Sequence, residues 1–251
     1  GAYAADSGGD SFAGESYVVF GKSSGFNSAI NLNTLDGTNG FRIDSIDASG
    51  RSGTSVSSAG DVNGDSFDDL IIGAEGADPG GNSGAGESYV VFGKASGFNS
   101  VVDLNTLDGM TGFRIDGIDV ADRSGGSVSS AGDVNGDGFD DLIIGAFRAD
   151  PGGDVSAGES YVVFGKASVF SSAIDLNTLD GTTGFRIDGI DEFDRSGRAV
   201  SSAGDVNGDG FDDLIIGADG ADPGGNSYAG ESYVVFGKLG GFNSAIELST
   251  L

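Results

Sequence analysis

Asp133-Val134-Asn135-Gly136-Asp137-Gly138-Phe139-Asp140-Asp141, followed by Leu142-Ile143-Ile144-Gly145-Ala146, is the stretch from which the fold of this chain is read. It recurs unchanged at 205–218, and at 61–74 with Ser66 where the other copies have glycine. Successive copies lie 72 residues apart. An oxygen-rich acidic turn therefore feeds an apolar strand three times in one register.

The turn has the composition of a calcium site. With Asp133 at ligand position 1, Asn135 falls at 3, Asp137 at 5, the Phe139 carbonyl at 7 and Asp141 at 9. Calcium takes about six to eight hard oxygen ligands in a flexible shell, and glycines between ligands let the backbone wrap tightly. The other two sets are Asp61, Asn63, Asp65, Phe67 and Asp69, and Asp205, Asn207, Asp209, Phe211 and Asp213. The expectation is about three Ca²⁺ per chain. The alternative is an acidic Asx turn between strands. An EF-hand is excluded, because its twelfth position needs a bidentate Glu and this chain has Ile72, Ile144 and Ile216 there.

Working outward, Gly-Glu-Ser-Tyr-Val-Val-Phe-Gly-Lys occurs four times, at 14–22, 86–94, 158–166 and 230–238. Four consecutive large apolar residues mark a strand buried on both faces, and the Leu-Ile-Ile runs read alike. Gly40-Phe41-Arg42-Ile43-Asp44 and its copies at 112–116 and 184–188 alternate apolar with charged residues, so this strand has one wet face. Arg42 and Asp44 share that face and read as a surface ion pair. Before each acidic turn comes a small-residue segment, such as Ser127 to Gly132, suited to a crowded inner strand.

Each 72-residue unit thus reads as four antiparallel strands: inner, Leu-Ile-Ile, Tyr-Val-Val-Phe and amphipathic outer. A connector such as Asn99 to Thr111 joins the last two. This is the unit of an all-β propeller, with faces buried between neighbouring blades. The predicted units are 1–52, a partial blade of strands three and four; 53–124 and 125–196, blades with a calcium loop; and 197–251, a calcium-loop blade lacking its outer strand. No segment has a convincing helical period.

These residues resemble a known family. Phe-Asp-Asp-Leu-Ile-Ile-Gly-Ala after Asp-Val-Asn-Gly-Asp-Gly, preceded by Gly-x-Ser-Val-Ser-Ser, is similar to the FG-GAP repeat of integrin α-subunit propellers and to bacterial extracellular proteins with such repeats. The resemblance implies Ca²⁺ in the hairpin between the first two strands of a blade, on the residues named above. The Pro that often closes the family's Gly-Ala-Pro element is absent, since Phe147 follows Ala146 and Asp219 follows Ala218. That departure leaves the metal-site residues in place and counts against integrin-like ligand recognition.

Composition narrows function. The net charge of −27 argues against nucleic acid or an anionic lipid surface as partner. No apolar run approaches the ~20 residues of a membrane span. Without His or Cys there is no imidazole or thiol catalysis, and the paired carboxylates recur with the repeat rather than forming a singular site. The chain reads as a non-enzymatic, extracellular, calcium-stabilised propeller with a role in adhesion, surface display or matrix assembly. Alternatives are a fibre subunit that polymerises by strand complementation and a binding module of a larger secreted enzyme. Expected partners are other copies of itself, in a ring or filament, or an extracellular protein or glycan. Two features stay open: a second calcium site near Asp78 and Glu87 or their copies, against a simple Asp-initiated turn, and a ligand patch of exposed aromatics at Tyr3, Phe147 and Tyr228.

Overall fold

The structure, a computed structural model, describes all 251 residues. It holds sixteen β-strands, eight single-turn 3-10 helices and no α-helix. In chain order the strands are β1 (Glu15–Val19), β2 (Gly40–Asp44), β3 (Ser55–Gly60), β4 (Asp69–Ala74), β5 (Glu87–Val91), β6 (Val101–Asp103), β7 (Gly112–Asp116) and β8 (Ser127–Gly132). They continue as β9 (Asp141–Ala146), β10 (Glu159–Val163), β11 (Ala173–Asp175), β12 (Gly184–Asp188), β13 (Ser196–Gly204), β14 (Asp213–Ala218), β15 (Glu231–Val235) and β16 (Ala245–Glu247).

The strands form four sheets, ordered β1-β2-β6, β11-β7-β5-β4-β3, β16-β12-β10-β9-β8 and β13-β14-β15. Within each repeat every pairing is antiparallel, with Ile72 opposite Tyr89 and Ile144 opposite Tyr161. The four-stranded propeller blade read from the sequence is present twice in full, flanked by incomplete blades.

The core lies between sheets, not within one. One cluster joins Ile71 and Val90 of the second sheet to Ile144 and Tyr161 of the third. Another joins Ile143 and Val162 of the third to Leu214 and Ile216 of the fourth. A third sets Phe41 and Ile43 of the first against Ile72 and Tyr89 of the second. Successive residues of a strand point to opposite faces, so Ile71 and Ile72 serve different neighbours and both are buried. Burying such a side chain contributes about 1.5–3 kcal/mol. This is why the runs are continuously apolar rather than alternating. The small-residue strands are also neighbours: the Ser55 hydroxyl accepts the Val128 N–H at 3.0 Å and the Ser127 hydroxyl accepts that of Val200 at 3.1 Å.

The connector differs from its sequence reading. The stretch 99–111 is not merely a link but contains β6, which pairs in parallel with β2 of the preceding sheet. The same clasp joins β11 to β7 and β16 to β12. Phe98 stacks on Phe41 with ring centroids 4.4 Å apart, and the Lys94 ammonium lies 4.7 Å above Phe98. The same clasp stacks Phe170 on Phe113 and Phe242 on Phe185. Each repeat therefore fastens a short strand and an aromatic ring to the blade before it. Three residues are too few for an alternation signal, which is why the sequence reading passed over them. Val101–Asp103 consequently belongs to the first sheet, although it lies in the stretch 53–124.

Candidate metal loops

Each acidic turn joins the first two strands of a blade, and its side chains are spent on its own backbone. Asp61 Oδ1 accepts N–H groups from Gly64 at 2.8 Å and Asp65 at 3.0 Å, and its Oδ2 accepts that of Ser66 at 2.8 Å. Asn63 Oδ1 accepts the Asp65 N–H at 2.8 Å, and Asp65 Oδ1 that of Phe67 at 2.9 Å. Asp69 is fully buried, accepting N–H groups from Val62 at 3.1 Å and Gly93 at 2.8 Å. The other loops repeat this pattern. Asp133 accepts from Gly136, Asp137 and Gly138, and Asp141 from Val134 and Gly165. Asp205 accepts from Gly208, Asp209 and Gly210, and Asp213 from Val206 and Gly237.

The Asx-turn geometry weighed from the sequence is therefore present, and no three acidic side chains stand together in ligating geometry. The donor set nevertheless suits a hard cation: every polar side chain in it offers oxygen. None of these carboxylates has a Lys or Arg within salt-bridge distance. Burial pushes the Asp69 carboxyl up to about 7, with the charges of Asp65 and Asp61 adding to the rise. Burial likewise pushes Asp141 up to about 8, reinforced by Asp137 and Asp133. A buried carboxylate facing two others, with no positive charge beside it, is electrostatically uncompensated.

The loops also form the joint between blades. Asp140 Oδ2 accepts the Asp61 N–H of the preceding blade at 2.8 Å, and Asp212 Oδ2 that of Asp133 at 3.0 Å. Backbone bonds run alongside, from Lys166 N–H to the Val62 carbonyl and from Lys238 N–H to that of Val134, both at 2.9 Å. Two glycines make room. Gly60, at a φ of 73°, lies where a Cβ would collide with the Asp140 carboxylate, and a Cβ at Gly64 would collide with the Phe139 ring. The sequence reading takes the second Asp of each doublet, Asp69, Asp141 and Asp213, as a ligand and gives Asp140 and Asp212 no task. Their recurrence with the 72-residue period was the available signal.

On the outer strands the expected pair is part of a larger group. Arg114 bonds Asp116 at 2.9 Å through Nη2, and its Nε lies 3.6 Å from Glu87. Glu87 is buried and accepts the Tyr89 hydroxyl. The same four residue types meet at Glu15, Tyr17, Arg42 and Asp44, and at Glu159, Tyr161, Arg186 and Asp188. Asp78 is occupied elsewhere, accepting the Gly84 N–H at 2.6 Å across its own loop. Asp78 and Glu87 are thus engaged by separate partners, as an Asp-initiated turn requires. Of the three loop aromatics, Tyr3 and Tyr228 are exposed but Phe147 is not. Its ring is buried, with the Arg198 guanidinium 4.5 Å from its centroid. Packing beneath a cation explains its place, and it leaves the expected exposed patch.

The repeat geometry and the comparisons agree on the family. The FG-GAP repeat model matches residues 52–91, 124–163 and 196–235, each running from the inner strand through the acidic turn to the end of the third strand. The chain is an FG-GAP repeat protein. It is similar to integrin alpha pat-2 of Caenorhabditis elegans, 32% identical over 185 residues, covering 72% of this chain and 14% of that protein. Integrin alpha-5 of Xenopus laevis is 32% identical over 152 residues, 59% of this chain and 13% of the integrin. Phosphatidylinositol-glycan-specific phospholipase D of Bos taurus is 31% identical over 196 residues, 75% of this chain and 22% of the enzyme. The FG-GAP chain thus spans less than a quarter of these relatives. No helix in it is long and apolar enough to cross a membrane.

Proposed function

We propose that this FG-GAP chain is an extracellular, non-enzymatic propeller module whose loops bind Ca²⁺ and whose role is adhesive or structural. The observation that carries it is the oxygen-only ligand set recurring three times without a basic partner. Asp61, Asn63, Asp65, the Phe67 carbonyl and Asp69 hold the first ion, and the residues 72 and 144 positions later hold the others. The ion supplies the charge that the buried Asp69 and Asp141 lack. The integrin relatives support a binding role. Extracellular modules work at about 10⁻⁴–10⁻³ M calcium, which suits that setting. A site held at about 100 times its Kd adds about 2.7 kcal/mol of stability.

Native mass spectrometry in calcium is expected to count three ions per chain. Asp137→Ala and Asp209→Ala each lower Tm in calcium and not in EGTA. Equal losses in both buffers remove the metal from the reading.

A further inference from the structure

The cations of this acidic chain are almost all spent. Each of the four lysines lies over a phenylalanine ring. Arg42, Arg114 and Arg186 hold carboxylates on the outer strands, and Arg148 and Arg198 lie by Phe147. Arg51, Arg123 and Arg195 remain, and the first two line one cleft of about 510 Å³. The cleft is built from two loops and two linkers of successive blades, with Ser49, Ser83, Phe12 and Val120 also in its wall, together with the Asp78 carboxylate, which accepts the Gly84 N–H. Arg51 lies 3.3 Å from Glu75. Arg123 has no carboxylate within salt-bridge distance and donates only to the Glu75 carbonyl at 3.3 Å.

The repeat shows how the cleft is opened. One repeat later, Arg148 stands in place of Gly76, Val155 in place of Ser83 and Phe193 in place of Ala121. In the third copy two of these positions are small again, Gly220 and Ser227, so the bulky set belongs to the middle repeat. Phe12 and Val120, more than half exposed, supply apolar surface at this cleft.

We infer that this cleft binds a carboxylate-bearing sugar, a uronic acid residue of an acidic glycan. The paired guanidiniums take the carboxylate, which planar Arg does bidentately. The serine hydroxyls meet sugar hydroxyls, and the aromatic and aliphatic walls cover the ring faces. The cleft walls are loops and turns that offer no free strand edge, which an extended acidic peptide would use. The net charge of −27 repels anions at long range. At physiological salt that field is screened within about 8 Å, so a small ligand senses the arginines beside it. This assignment rests on the binding role proposed above but not on calcium.

The test is titration of the full chain with digalacturonate, in calcium and in EGTA, read by calorimetry or NMR shifts. Binding is expected in both buffers. Arg123→Ala is expected to weaken it at least about tenfold. Ala121→Phe is expected to abolish it with Tm retained, because Phe193 already occupies that repeat position at a φ of 66°, close to the 72° of Ala121. Arg195→Ala, the equivalent arginine outside the cleft, leaves binding intact. The inference is overturned by absence of binding, by equal binding of neutral galactobiose or a tri-aspartate peptide, or by unchanged affinity in Arg123→Ala and Ala121→Phe. A chain that binds digalacturonate yet ignores calcium sinks the metal reading alone; the reverse sinks only this one.

Discussion

Residues 133–141 and 205–213 are the same nine amino acids, folded into the same turn, in two different environments. Asp133 and Asp205 make the same three bonds to their own backbones. Yet Val134 is fully buried and Val206 is 57% exposed. The first loop is covered by Phe211 and Asp212 of the following blade, while Gly204 and Gly208 of the second have open space around them. The turn is therefore a property of local sequence, and its burial a property of the neighbour. The same holds one strand further on, where Ile143 is fully buried and Ile215 is 39% exposed.

The largest test of this contrast is truncation of that isoleucine. Ile143→Ala opens a cavity between two sheets and is expected to cost about 2–5 kcal/mol. Ile215→Ala, at the open face, is expected to cost under about 1 kcal/mol. Urea unfolding of both variants at fixed calcium gives the difference. Equal costs mean that the face of β14 is covered in solution.

A smaller effect isolates the joint itself. Asp140→Ala strips the Asp61 N–H of its partner, and leaving a partly buried donor unsatisfied costs about 1–3 kcal/mol. Asp68 occupies the same repeat position, is exposed and accepts no such bond, so Asp68→Ala is expected to change stability by less than about 0.5 kcal/mol. If the two variants unfold alike, the carboxylate bridge between blades carries no stability.

These paired sites also show what was legible beforehand. Ile71-Ile72 and Tyr89-Val90-Val91 announced strands buried on both faces, and the 72-residue period announced blades. Strand order followed from the alternation in Phe41-Arg42-Ile43-Asp44. What escaped was everything supplied by a different repeat. The clasp of Phe98 and β6 reaches the previous blade through three residues, too short for a period-two pattern. Asp140 reads as a solvent-facing acid until the Asp61 amide of another blade is brought to it. At the loops, sequence gave the oxygen-bearing residues but not their orientation, because an Asx turn and a metal shell draw on the same side chains. Phe147 was read as exposed since nothing in its own repeat foretold Arg198.

The finest contrast concerns the linkers, where Asp122 and Asp194 hold the same repeat position. Burial raises both carboxyls. Asp122 is pushed to about 7, with the like charge of Glu159 next in effect; at Asp194 the corresponding Glu231 contributes less than nearer causes. An acid whose folded pKa exceeds its unfolded value of about 3.9 holds its proton more tightly when folded. Its contribution to stability is therefore complete below about pH 4 and is lost as pH rises to about 7. Asp122→Asn keeps the oxygen that accepts the Asp119 N–H at 3.3 Å and removes the titration. It is expected to flatten the Tm profile between pH 4 and 7 and to stabilise the chain by about 1 kcal/mol at pH 8. Asp194→Asn should do the same more weakly. Reading both as differences from the parent at each pH cancels the titration of the loop carboxylates. A destabilised Asp122→Asn at pH 8 would mean that this carboxylate is compensated by charge brought from outside the chain.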